Sequence, residues 1–105
     1  MKGVKKMLNI EKTLEDGTLL IELEGRLDTT TAPDLESAIM DSIDGITDLT
    51  LNFKGLEYIS SAGLRVLLSA QKKMNAKGSM KVTNVSPEID EIFEVTGFSD
   101  ILTIE

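Results

Sequence analysis

Apolar residues change their spacing several times along this chain, and each change marks a predicted element. Leu8 and Ile10 are two apart within the run Met7–Thr13, the alternation of a half-buried strand. Glu15-Asp16-Gly17 is a turn signal. Leu19, Ile21 and Leu23 then alternate with Glu22 and Glu24, so Thr18–Gly25 predicts a second strand that closes an antiparallel hairpin with the first. The polar stretch 25–31 is expected to break that strand. Leu35, Ala38, Ile39 and Ile43 recur at helical spacing behind Pro33, which suits a first helical turn, and Asp44-Gly45 is the expected stop. Leu49, Leu51 and Phe53 alternate as a third strand, and Leu56–Gly63 reads as a connection. Leu64, Leu67, Leu68, Gln71 and Met74 form one stripe of a second helix that stops at Asn75–Gly78. Met80–Val85 predicts a fourth strand. Ser86-Pro87-Glu88 starts a third helix with Ile89, Ile92, Phe93 and Val95 inward, and Ile101–Ile104 predicts a short last strand.

The predicted order is ββαβαβαβ in one α/β domain over residues 1–105. It implies a mixed sheet with a leading hairpin and with helices packed mainly on one face. A chain of 105 residues supports one core, and its 41% hydrophobic and 28% charged residues are those of a globular protein. It contains no cysteine and no histidine, which removes disulfides, thiolate-held metals and the Ser-His-Asp triad. Eleven basic against eighteen acidic residues leave a net charge of −7, unfavourable for nucleic acid or an anionic membrane. No apolar run reaches the ~20 residues needed to span a bilayer, and no signal-type segment follows the basic start at Lys2, Lys5 and Lys6, here read as a solvated end. The expected location is cytoplasmic.

Ser60-Ser61-Ala62-Gly63-Leu64 is the most informative stretch, because it hands a strand over to a helix, where ligand and partner sites gather in open α/β sheets. One serine can be a plain helix N-cap. Alternatively, the free amides of the helix start suit an anion, with Gly63 permitting close approach. A serine nucleophile has no histidine to activate it, and a Ser-Lys arrangement would draw on Lys72 or Lys73, whose place on a helix flank reads as solvated. Gly25–Pro33 is the second candidate: Asp28 can cap the following helix, order the loop or meet a partner, whereas a metal site on Asp28 lacks a second nearby carboxylate.

These residues resemble the STAS-domain family and, within it, the bacterial anti-sigma-factor antagonists. Gly25-Arg26-Leu27-Asp28-Thr29-Thr30-Thr31-Ala32 is similar to the family motif after its second strand. Leu49–Phe53 with Leu56–Leu64 is similar to its strand and switch loop, and Ser86–Phe98 to its closing helix. The resemblance implies a non-enzymatic regulator without cofactor or metal. Unphosphorylated, such a protein binds an anti-sigma factor that is also a serine kinase of the histidine-kinase-like ATPase type, and so releases a sigma factor. Phosphorylation of a serine at the start of the second helix ends binding, and a PP2C-type phosphatase restores it. The implied phosphosite is Ser61, with Ser60 in reserve. Ser60 stands where the family usually has Asp. The implied partner surface is Asp28, Thr29, Thr30, Ser60, Ser61, Ala62, Gly63 and Arg65. Other roles within the same family are a scaffold or transporter-accessory module without a phosphoswitch, and a nucleotide-binding domain.

Overall fold

A computed structural model describes residues 8–105; Met7 and the lysines at 2, 5 and 6 lie outside the described residues. Strands β1 (Leu8–Glu15) and β2 (Thr18–Leu27) form the expected antiparallel hairpin. Its two-residue turn places both Asp16 (φ 52°) and Gly17 (φ 81°) in the left-handed region, as a type I′ Asp-Gly turn requires. Helix α1 (Ala32–Met40) leads to β3 (Asp48–Ile59), then α2 (Ser61–Asn75), β4 (Ser79–Thr83) and α3 (Pro87–Thr96). The sheet order is β1-β2-β3-β4, with β2, β3 and β4 mutually parallel.

All three helices cover one face. Leu19, Ile21 and Leu23 of β2, Leu49, Leu51 and Phe53 of β3, and Met80 and Val82 of β4 are buried there against Leu35 and Ile39, Leu67, Ala70 and Met74, and Ile89 and Phe93. Phe93 lies between Phe53 and Phe98, with ring centroids 6.3 and 6.5 Å away. The opposite face carries Glu11, Glu22, Glu24, Thr50, Asn52 and Lys81 and meets water. Ser86 caps α3 by accepting from the Ile89 N–H at 3.3 Å, and Gly97 ends it in the left-handed conformation (φ 84°).

Several boundaries differ from expectation. The second strand does not break at Gly25 but continues to Leu27. The supposed connection after Phe53 is strand as far as Ile59. The cause is two irregularities in the β2–β3 register, between Glu22/Glu24 and Gly25/Arg26, each giving β3 one extra residue. They turn the inward spacing of β3 from two to three (Phe53, Leu56, Ile59), which hides the strand period. Helix α1 ends at Met40, and Ile43–Gly45 forms a separate 3-10 turn that still buries Ile43. Strand β4 stops at Thr83 because Asn84 turns to φ 57°, leaving Val85 beyond it. Val95 is 80% exposed: two positions past Phe93 on a helix is nearly the opposite side. The predicted last strand is reduced to one parallel bridge, Val82 with Ile104, since the Ile101 and Leu102 amides turn back to the Phe98 carbonyl at 3.0 and 2.9 Å.

Candidate functional site

The carboxyl ends of β2 and β3 lie side by side, and α1 and α2 start from them. The two chain segments are tied directly: the Ser60 N–H donates to the Leu27 carbonyl at 2.9 Å. The Asp28–Thr31 loop and the start of α2 therefore share one end of the sheet.

Thr31 and Asp28 build the first loop. Thr31 is buried, and its hydroxyl donates to the Arg26 carbonyl at 2.8 Å while accepting from the Asp28 N–H at 2.8 Å. Asp28 Oδ1 accepts from the Thr30 hydroxyl (2.8 Å), the Thr30 N–H (3.0 Å) and the Thr31 N–H (3.2 Å). This is an aspartate-closed turn ahead of the helix rather than a helix cap. Thr31 occupies the N-cap position of α1 without a side-chain cap bond, and the amide of Ala32 is satisfied by the Asp28 carbonyl at 2.8 Å. Of the sequence alternatives for Asp28, loop ordering is the one the geometry displays.

These donors hold the Asp28 carboxyl below its usual range. The Thr30 hydroxyl is the largest cause and outweighs partial desolvation, with the Thr31 and Thr30 amides and the Thr31 hydroxyl adding to it. A depressed folded pKa contributes stability that is present above the unfolded pKa and is lost as pH falls through the folded one. A carbon-detected NMR titration should find Asp28 titrating below ordinary aspartate, and Thr30→Val should move it back up. An unmoved midpoint in Thr30→Val would mean that the hydroxyl does not act on the carboxylate.

A second feature lies beside this loop. Arg26 and Tyr58 are register partners, and the guanidinium carbon sits 4.3 Å from the ring centroid, a cation–π contact. Arg26 Nε is also 3.9 Å from Asp28 Oδ2. Tyr58 remains 38% exposed, so the pair forms a half-open platform next to the loops. Sequence reasoning assigned no role to either residue. Their pairing depends on the second β3 irregularity, and alternation alone would not place them opposite each other.

At the start of α2 the two serines take different places. Ser60 is the N-cap: it is half-buried, has extended backbone, and accepts from the Gly63 N–H at 3.5 Å. Ser61 is the first helical residue and is exposed, as are Arg65, Thr29 and Thr30, while Ala62 is half-buried. Gly63 is buried. A Cβ there would lie 2.7 Å from Leu27 Cγ and 2.9 Å from Ile59 Cγ1. Its bare backbone thus serves the packing of α2 on the strand ends rather than the approach of an outside group.

Among the described residues no group of three or more acidic side chains could hold a metal ion. A trough of about 410 Å³ lies on the open sheet face, lined by Glu11, Glu22 and Glu24 with Asn9, Asn52 and Lys54. Its excess of carboxylates repels phosphate groups. No helix among the described residues is long and apolar enough to cross a membrane.

Comparison with known proteins agrees with this geometry. Residues 9–105 match the model of the STAS domain. The chain is 31% identical over 99 residues to the anti-sigma-B factor antagonist of Staphylococcus aureus (strain NCTC 8325), covering 92% of each chain. Its fold matches the crystal structure of an anti-sigma factor antagonist from Mycobacterium paratuberculosis (TM-score 0.82, 23% identity, 92% of this chain and 84% of that one). It also matches the Bacillus cell fate determinant SpoIIAA at 23% identity. The unphosphorylated form gives a TM-score of 0.74 over 93% of this chain and 86% of that one, and the phosphorylated form 0.72 over 93% and 90%. With the two loops at the strand ends, the family match over nearly all of the described chain and the Staphylococcus relative, the chain belongs to the STAS-domain family of anti-sigma-factor antagonists.

Proposed function

We propose that this protein is a partner-switching regulator: unmodified, it binds an anti-sigma factor through the two loops at the carboxyl ends of β2 and β3, and phosphorylation of Ser61 ends that binding. The observation that carries the reading is the placement of Ser61. Ser61 is exposed as the first residue of α2, whereas Ser60 is half-buried and occupied as the cap. The surface available to a partner is Ser61 and Ala62, the Thr29–Thr30 tip held by Asp28, and Arg65. Gly63 and Ser60 support that surface from beneath.

The chemistry needs no base from this chain. The partner is an anti-sigma factor that also acts as a serine kinase of the histidine-kinase-like ATPase type, and it brings ATP. The bond from the γ-phosphorus to the bridging oxygen breaks, a Ser61 Oγ–P bond forms, the hydroxyl proton leaves to the kinase, and ADP departs. A PP2C-type phosphatase reverses the state by hydrolysis. A regulator of this kind works without catalysis of its own and without contact with nucleic acid or membrane, in keeping with a net charge of −7 and the lack of histidine and cysteine.

A phosphoserine carries about −1.5 to −2 charges. At the first residue of a helix the exposed amides and the macrodipole favour negative charge, so the domain keeps its fold and the partner registers the change. SpoIIAA supports this, since its two forms match the present fold almost equally well. Incubation with the cognate kinase and ATP should add one phosphate to the parent and to Ser60→Ala, and none to Ser61→Ala. Full incorporation into Ser61→Ala would place the site elsewhere.

A further inference from the structure

We infer that the phosphoryl group on Ser61 is received within the same helix by the guanidinium of Arg65. The inference rests on Ser61 as the modified residue and concerns what the modification does inside this chain. Ser61 and Arg65 are four apart in α2, and both are exposed, while Gly63, Leu64, Val66 and Leu67 between and beyond them are buried. Residues at i and i+4 lie one above the other on a helix surface. Helical side chains lean toward the N-terminus, so the Arg65 side chain leans back toward Ser61. An anion placed N-terminal to a cation at this spacing is the more favourable orientation, and it agrees with the helix dipole. Arginine also offers the planar fork that takes two phosphate oxygens at once.

The two arginines of the chain both stand at this end of the sheet, and they are not equivalent. Arg26 is already engaged by the Asp28 carboxylate and the Tyr58 ring. Among the described residues Arg65 makes neither hydrogen bond nor ion pair. It is therefore the guanidinium free to turn to a new anion. Phosphorylation then alters the surface twice: it adds a dianion and occupies an arginine that was open to a partner's carboxylate.

The pair can be read without any kinase, in full-length protein with phosphoserine installed at position 61 during synthesis. With only two arginine Nε–H signals, nitrogen NMR assigns them directly. The Arg65 Nε–H signal should shift and exchange more slowly in the phosphorylated chain, with Arg26 unmoved. The phosphorus-detected midpoint of the phosphate should rise by about 0.15–0.4 pH unit in Arg65→Gln, the size expected of a helical ion pair, and less in Arg65→Lys. A midpoint indifferent to Arg65→Gln, or a shift of the Arg26 signal in place of the Arg65 signal, overturns the pair. A kinase that fails to modify Ser61 would instead sink the proposed function and leave this measurement standing.

Discussion

Ser61→Asp should lose affinity for the anti-sigma factor by between about tenfold and a few hundredfold while unfolding within a degree or two of the parent. The asymmetry follows from where the residue sits. In the free domain an aspartate at the first position of α2 is exposed and faces unpaired amides, where negative charge is neutral to mildly stabilising. In the complex, the surface that fitted a hydroxyl must dehydrate a carboxylate that the partner does not neutralise, and Arg65, four residues on in α2, offsets only part of that cost. A stranded charge of this kind costs about 1.4–3 kcal/mol, a factor of ten to more than a hundred. Calorimetric titration and a thermal melt of the same sample separate the two effects. Equal affinity for the parent and Ser61→Asp would favour a STAS scaffold or transporter accessory without a phosphoswitch. A large drop in melting temperature would mean that the loss of binding reports unfolding.

The order of elements was legible because each change of apolar period coincides with a strong punctuation residue. Asp16-Gly17, Pro33, Ser60, Gly78, Pro87 and Gly97 all sit at or next to real boundaries. Ser86 shows how local that logic is: a serine followed by Pro87 caps α3 as its sequence implies. The misplaced ends of β2 and β3 have a common origin in tertiary register. Leu56, Glu57, Tyr58 and Ile59 look like a connection because their burial pattern is set by two extra residues in β3, and these are visible only once β2 is alongside. The candidate site divides in the same way. Ser60, Ser61 and Asp28 could be picked out from helix-start chemistry. The hydroxyl of Thr31 reaching Arg26, and the ring of Tyr58 under its guanidinium, could not, since both depend on where the end of β2 lies. Ile101–Ile104 has strand-like composition, yet the Phe98 carbonyl captures two of its amides and leaves one bridge.

Gly63 is where the fold and the switch meet, and a double-mutant cycle with Leu27 tests the connection. Leu27 is fully buried at the end of β2, so Leu27→Ala should destabilise by about 2–5 kcal/mol. Gly63→Ala gains some helix propensity, but its Cβ would stand 2.7 Å from Leu27 Cγ, and overpacking of this kind costs about 1–3 kcal/mol. The new methyl group therefore cancels or outweighs its own benefit and pushes α2 away from the strand ends. In the Leu27→Ala background the Leu27 Cγ contact is gone, Ile59 Cγ1 at 2.9 Å still has to give way, and the methyl partly fills the space Leu27 vacated. Urea unfolding should find the double variant more stable than the sum of the single changes by about 1 kcal/mol. Additive losses would show that the helix slides to accommodate the methyl without meeting Leu27. The same displacement moves Ser61, two residues earlier on the first turn of α2. Gly63→Ala should therefore bind the partner less tightly even where it remains folded, and Leu27→Ala in the same chain should recover part of that binding although it makes the domain less stable. Binding and stability moving in opposite directions across one cycle is a result that loss of folded protein cannot produce.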